Sequence, residues 1–93
     1  AVKNYAQLLY QNADSISAHY ATMNPFWDEM QWQTLLYNYI NLLVQDAAAL
    51  HAGEFEKELD LFERMTIATL AMGDYLAQGL YEYMTYGIVR QGS

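Results

Sequence analysis

The sequence predicts an all-α fold, an antiparallel bundle of three long helices in one domain formed by residues 1–93. Three observations predict it. Apolar residues recur at intervals of three and four along most of the chain, which is the spacing of one helix face. Turn signals separate these periodic segments at Asn24-Pro25 and at Gly53. No stretch shows the alternation of a β-strand. Because the two connections are short, consecutive helices are expected to be antiparallel neighbours.

The first helix is predicted over residues 2–23. Its stripe of apolar or small residues consists of Val2, Ala6, Leu9, Ala13, Ile16, Tyr20 and Met23. Proline pushes the preceding residue out of the α region, so the helix is expected to end at Asn24-Pro25. The same dipeptide suits the start of the next helix, since Asn24 can cap it and Pro25 fits its first turn.

The second helix is predicted over residues 25–51. Its main apolar stripe consists of Leu36, Ile40, Leu43, Ala47 and Leu50. Gly53 is a natural left-handed stop for this helix. Three acids follow it at Glu54, Glu56 and Glu58, and acidic side chains are favourable near the N-terminus of a helix.

The third helix is predicted over residues 54–86. Between Met65 and Tyr81 its only charge is Asp74, and a helix that is apolar all round lies centrally in a bundle or in a membrane. This stretch of about 17 residues falls short of the roughly 20 that a bilayer requires, which favours the bundle. Thr69, Gly73 and Ala77 form a small-residue stripe along which another helix can approach closely.

The predicted apolar surface exceeds what a lone three-helix bundle can bury, because two faces are broad and the third helix is apolar over most of its circumference. The expected explanation is a homodimer. The alternative is that this chain is the C-terminal part of a longer protein whose other helices complete the core. The candidate interface residues are Thr69, Gly73, Ala77, Trp27, Trp32 and Tyr81.

Composition excludes several functional classes. The chain has 11 acidic residues against 4 Lys and Arg, a net charge of -7, so it cannot neutralise the phosphates of a nucleic acid or an anionic membrane surface. It contains no Cys, which excludes a disulfide, a thiolate nucleophile and a cysteine-ligated metal. Residues 1–12 lack the apolar run of a signal peptide, and a cytoplasmic location is expected.

Acidic residues on apolar helix faces are the strongest candidates for a chemical role. Asp46 and Asp74 are both expected to be buried, and a buried carboxylate needs a partner, a raised pKa or a metal. Asp14, Glu63 and Asp74 are the candidate ligands for a divalent metal, although the Glu-x-x-His pairing of di-iron bundles is missing. The alternative is that tyrosine hydroxyls and indole groups donate hydrogen bonds to these acids.

Several short motifs occur in order along the chain. They are Asn12-Ala13-Asp14-x-Ile16, Asn24-Pro25-x-Trp27, Tyr39-Ile40-x-Leu42, Gly53-Glu54-Phe55 and Met72-Gly73-Asp74-x-Leu76-x-x-Gly79-Leu80. Together they resemble a family of bacterial helical-bundle proteins of uncharacterised function. The resemblance implies a helical hairpin ahead of these three helices. Two histidines of the family pattern are Tyr39 and Thr66 here, which removes the ligands that a metal role for those positions would need.

The function expected from the sequence is that of a non-enzymatic binding or interaction module. No residue is assigned a catalytic or cofactor-binding role, because no nucleophile lies beside a base at a useful spacing. The alternative is a metal or a small ligand bound at a carboxylate-lined core. A small apolar ligand held between helices is a further candidate partner.

Overall fold

The computed structural model describes the backbone of residues 2–92 and the side chains of residues 4–86. Three helices account for nearly all of this range: α1 (Val2–Met23), α2 (Glu29–Ala52) and α3 (Phe55–Gly92). Residues 2–92 contain no strand. The predicted all-α fold of three long helices is confirmed. The bounds of α1 agree with the prediction, whereas α3 continues six residues beyond its predicted end at position 86.

The start of α2 differs from the prediction. Asp28 is the N-cap, and its carboxylate accepts a hydrogen bond from the Gln31 amide at 2.9 Å. Residues 24–27 instead form a turn, in which the Trp27 amide donates to the Asn24 carbonyl at 3.1 Å. The prediction that Asn24-Pro25 opens the helix is therefore wrong, because the Asn24 side chain is used in a contact with α3.

The connection between α2 and α3 follows the prediction. Gly53 has a φ of 74°, the left-handed conformation that favours glycine, and its amide donates to the Leu50 carbonyl at 3.1 Å. The Glu54 amide donates to the Ala49 carbonyl at 2.9 Å. These bonds satisfy the last carbonyls of α2 and let α3 begin immediately at Phe55.

The helices lie side by side in one layer with α2 in the middle. Within residues 2–92, α1 and α3 each approach α2, and no Cα atom of α1 lies within 8 Å of one in α3. The molecule measures 60 by 25 by 12 Å, so it is about one helix diameter thick. The expectation that α3 is central is wrong, because that position belongs to α2, which has contact residues on two opposite sides.

Contacts between α2 and its neighbours run in reverse order along the chain. Trp32 near the start of α2 packs on Tyr75 far along α3, with ring centroids 5.2 Å apart. Leu42 and Ala49, further along α2, join a core cluster with Leu61 and Ala68 of α3. Among the described residues, no helix is both long enough and apolar enough to cross a membrane.

Candidate functional site

The open surface of the layer carries the candidate site. One side of α2 contacts α1, since Val44 and Ala47 line a groove with Leu9, and another side contacts α3 through Leu42 and Ala49. A third stripe runs between these two sides. It consists of Leu36, Leu43 and Leu50, which are spaced by seven residues and so share one helix face. Leu43 and Leu50 are exposed.

The α3 helix presents a matching stripe. On one surface of the layer, the groove between α2 and α3 is lined by Asn38, Arg64 and Ile67. Leu43 lies five residues after Asn38, and Phe62 lies five before Ile67, so each points about 140° away from that groove. Leu43 and Phe62 therefore share the other surface of the layer.

We call this surface the apolar face and define it by its exposed large side chains. From α1 it includes Tyr5, Leu9 and Met23; from α2, Leu43 and Leu50; and from α3, Phe55, Leu59, Phe62, Leu76, Leu80 and Met84. Leu9 and Leu43 line one groove together, which places the stripes of α1 and α2 on the same side. The opposite surface, around Asn38 and Arg64, is the polar face.

The predicted small-residue stripe begins on this face, since Thr69 lies seven residues after Phe62 and shares its side of α3. Thr69, Gly73 and Ala77 are all exposed, and a Cβ atom added to Gly73 would meet nothing within 4 Å. The Thr69 hydroxyl donates to the Met65 carbonyl at 2.9 Å, and Thr66 donates in the same way to Phe62 at 3.0 Å. Because these hydroxyls are already paired within α3, burying them against a partner would leave no donor unsatisfied.

The other predicted interface residues lie in different places. Tyr81 is exposed on α3. Trp27 and Trp32 are buried within the chain, and Trp32, which is 3% exposed, packs edge to face against Tyr20, Trp27 and Tyr75. The structure therefore places both indoles in an aromatic core that joins the three helices, and the apolar face does not include them.

The candidate metal ligands are not brought together. Asp14 lies on α1, whereas Glu63 and Asp74 lie on α3, on the far side of α2. Among the described residues, no group of three or more His, Asp or Glu side chains could hold a metal ion. Asp74 is exposed rather than buried, because it lies on the side of α3 that faces away from α2.

Asp14 is instead held by hydrogen bonds between α1 and α2. Its Oδ1 accepts from the Tyr37 hydroxyl and from Gln33 Nε2, the latter at 3.3 Å. The hydrogen bond to Asp14 raises the pKa of the Tyr37 hydroxyl above its ordinary value of 10.0, with smaller contributions from desolvation and from the charge of Asp14. For Asp14, the expected tyrosine donor is present.

Other buried polar atoms lack such partners. Oδ1 of Asp46 and Nε1 of both Trp27 and Trp32 are buried without a hydrogen-bond partner among the described residues. Asp46 lies seven residues after Tyr39 and four before Leu50, on the edge of the apolar stripe of α2. The expectation that indole groups donate to the buried acids is wrong for these two tryptophans, since their N–H groups are enclosed by the aromatic core.

A groove between α1 and α2 adds a concave feature to the apolar face. Its volume is about 580 Å³. It is lined by Tyr5, Ala6, Leu9, Leu43, Val44, Ala47, Ala48 and His51. The Tyr5 hydroxyl and the His51 imidazole are the polar side-chain groups in this lining, and the other six side chains are aliphatic. The sequence did not single out this groove, because its walls come from opposite ends of two helices.

Two of the motif segments meet in space. Asn24 Nδ2 donates to the Gly79 carbonyl at 2.9 Å, and the Asp28 amide donates to the Tyr75 hydroxyl at 2.8 Å. A Cβ atom added to Gly79 would overlap the Trp27 ring. Sequence reasoning missed this junction, whose only signal was the presence of Asn24, Trp27 and Gly79 in ordered motifs.

Comparisons with family models, with curated proteins and with solved structures find no match to the chain. The resemblance to a bacterial helical-bundle family therefore stays a prediction.

Proposed function

We propose that this chain is a non-enzymatic interaction module whose binding surface is the apolar face. One observation supports this most directly: exposed apolar side chains from α1, α2 and α3 share one side of a flat layer. Scattered surface hydrophobic residues are ordinary in proteins, but a contiguous patch of more than a few hundred Å² marks an interaction site.

The energetics favour burial of this face. Each Å² of apolar surface removed from water contributes about 25 cal/mol, so large side chains such as Phe62 and Leu50 each supply a sizeable driving force. Neither residue is covered by another part of the described chain, as Phe62 is 65% exposed and Leu50 is 57% exposed. A partner that covers them gains this energy without displacing an internal contact.

An exposed ion pair of α3 lies away from the apolar face. The ion pair between Arg64 Nε and Asp60 Oδ2, at 3.1 Å, belongs to the polar face, where Arg64 also lines the groove beside Asn38. Exposed ion pairs of this kind contribute little to stability, but they keep the polar face hydrated. A partner on the apolar face would leave this pair in water.

Binding of an environment-sensitive apolar dye tests the proposal. At a concentration dilute enough for the chain to be monomeric, we expect it to enhance the fluorescence of anilinonaphthalene sulfonate, and Phe62→Ser to reduce that signal. Ile67→Ser is the matched control, since Ile67 is 61% exposed but lies on the polar face beside Arg64. An equal loss of signal in both variants, or no dye binding by the monomeric chain, would contradict the proposal.

A second candidate is the capture of a small apolar ligand in the α1–α2 groove. Its volume of about 580 Å³ lies within the range of roughly 300–1,000 Å³ that small-molecule sites occupy. Ala47→Trp would fill the groove, whereas Ala52→Trp would place the same side chain on an exposed helix end outside it. Native mass spectrometry should show an added mass on the wild type and on Ala52→Trp, and none on Ala47→Trp.

A further inference from the structure

We propose that the partner of the apolar face is a second copy of this chain, and that two layers pack face to face into a six-helix bundle. This inference rests on the proposed function, since it names the occupant of the same surface. A two-fold axis through the face would make the contact self-complementary, so that each apolar stripe of one copy meets an apolar stripe of the other.

The size of the face suits a stable dimer. The layer is 25 Å wide, and its 60 Å length is that of α3, whereas α1 with 22 residues and α2 with 24 residues are each about 35 Å long. A stable protein interface buries about 800 Å² on each partner, an area comparable to the part of the face to which all three helices contribute. A short peptide or a small ligand would leave most of the face in water, whereas a second layer of equal dimensions covers it.

The distribution of acidic residues favours contact between the apolar faces of two copies and disfavours contact between their α3 edges. Glu56, Glu63 and Asp74 are exposed and recur at intervals of seven and eleven residues, so they form an acidic stripe along α3. Contact between the α3 edges of two copies would bring these stripes together and would be opposed by repulsion between like charges. Face-to-face packing keeps the two acidic stripes apart despite a net charge of -7 on each copy.

The surface of α3 allows close approach of a facing helix. Gly73 and Ala77 present almost no side chain, and the hydroxyls of Thr66 and Thr69 are paired within the helix. Large residues on either side, such as Phe62 and Leu80, provide the ridges that fit between the side chains of a facing helix. These details favour a dry contact between helices over a hydrated contact between polar surfaces.

Sedimentation equilibrium and small-angle X-ray scattering on the full 93-residue chain test the proposal. At micromolar concentration we expect a mass of twice 10.7 kDa. Scattering should show a particle thicker than the 12 Å layer, with a length close to 60 Å. An edge-to-edge dimer would instead widen the layer and leave it thin, and that result would overturn the proposal.

Matched charge substitutions locate the contact. Phe62→Glu places a charge on the apolar face of both copies and is expected to raise the dimer dissociation constant by roughly 100-fold. Ile67→Glu introduces the same charge at a similarly exposed position on the polar face and should leave the dimer intact. Leu50→Glu repeats the test on α2, and circular dichroism verifies that each variant is helical. A dimer unaffected by both face substitutions would overturn the proposal.

If sedimentation shows a monomer, dye binding and native mass spectrometry distinguish failure of the homodimer from failure of the proposed function. A monomer that still binds the apolar dye would overturn the homodimer while leaving an exposed interaction face for a different protein. A monomer carrying an added mass in native mass spectrometry would also overturn it, in favour of a ligand in the groove. A monomer without dye binding would overturn both the homodimer and the interaction module.

Discussion

Asn24 and Gly79 are joined by a hydrogen bond from the Asn24 side-chain amide to the Gly79 carbonyl, at 2.9 Å. The two residues are 55 positions apart in the chain. This bond fastens the turn between α1 and α2 to α3, although no Cα atom of α1 lies within 8 Å of one in α3 among residues 2–92. The open layer is therefore held at this end by a turn, an indole ring and a glycine.

The first prediction compares two glycines of α3. Gly79→Ala should lower the free energy of unfolding by about 2 kcal/mol, because the new methyl group overlaps the Trp27 ring and forces this junction apart. Gly73→Ala should cost less than Gly79→Ala, since no atom of the described chain lies within 4 Å of the added methyl group and alanine favours a helix. Urea unfolding followed by circular dichroism measures both. Equal effects would show that Gly79 is not needed for close packing.

The second prediction concerns the polar part of the same junction. Asn24→Ala removes the donor to Gly79 and the acceptor for the Phe26 amide, which lies 2.9 Å from Asn24 Oδ1. Since Asn24 is buried, we expect a loss of about 2 kcal/mol in the free energy of unfolding. Asn41→Ala is the control, because Asn41 is exposed on α2. A loss no larger than that of the control would contradict the role assigned to Asn24.

These contacts show why the fold was predictable and one helix boundary was not. Helix periodicity and the left-handed Gly53 depend on neighbouring residues, and both appear in the structure as expected. The start of α2 depends on a contact with Gly79, which no local pattern encodes. Asn24 has the side chain of a good helix cap, but tertiary packing uses it elsewhere and leaves capping to Asp28.

In the candidate site too, features within one helix could be predicted from the sequence, whereas contacts between helices could not. The sequence indicates that Thr69, Gly73 and Ala77 form a small-residue stripe, because they lie at intervals of four residues along one helix. Trp27 and Trp32 could not be assigned to core or surface by periodicity, since their burial depends on Tyr20 and Tyr75 of other helices. The separation of Asp14 from Glu63 and Asp74 likewise depends on which helix lies in the middle of the layer.

The third prediction concerns alkaline pH. Because its hydrogen bond to Asp14 raises the pKa of Tyr37 above 10.0 in the folded chain, the protonated hydroxyl stabilises the fold. That contribution is complete below pH 10.0 and is lost as the pH rises through the raised value. Tyr37→Phe should therefore be less stable than the wild type at neutral pH, and the difference should shrink in strong alkali.

Chemical unfolding at a series of pH values measures this difference. Asn41→Ala serves as the control, because Asn41 is exposed on α2 and its side-chain amide does not titrate. The control should show a stability difference that does not change with pH. A Tyr37→Phe difference that stayed constant through alkaline pH would show that the hydrogen bond to Asp14 does not favour the protonated hydroxyl.

The fourth prediction concerns the buried oxygen of Asp46, which has no partner among the described residues. An unsatisfied buried polar group costs about 1–3 kcal/mol, and Leu42 and Leu50 provide an apolar setting one turn before and after it. Asp46→Leu should therefore raise the free energy of unfolding by about 1 kcal/mol. Gln45→Leu is the control, since Gln45 has no such buried atom, and its effect should stay within about 0.5 kcal/mol. Thermal unfolding at fixed protein concentration compares the two variants. A loss of stability in Asp46→Leu would mean that the carboxylate makes a favourable contact in solution, and a second copy packed on the apolar face would be the first place to look for its donor.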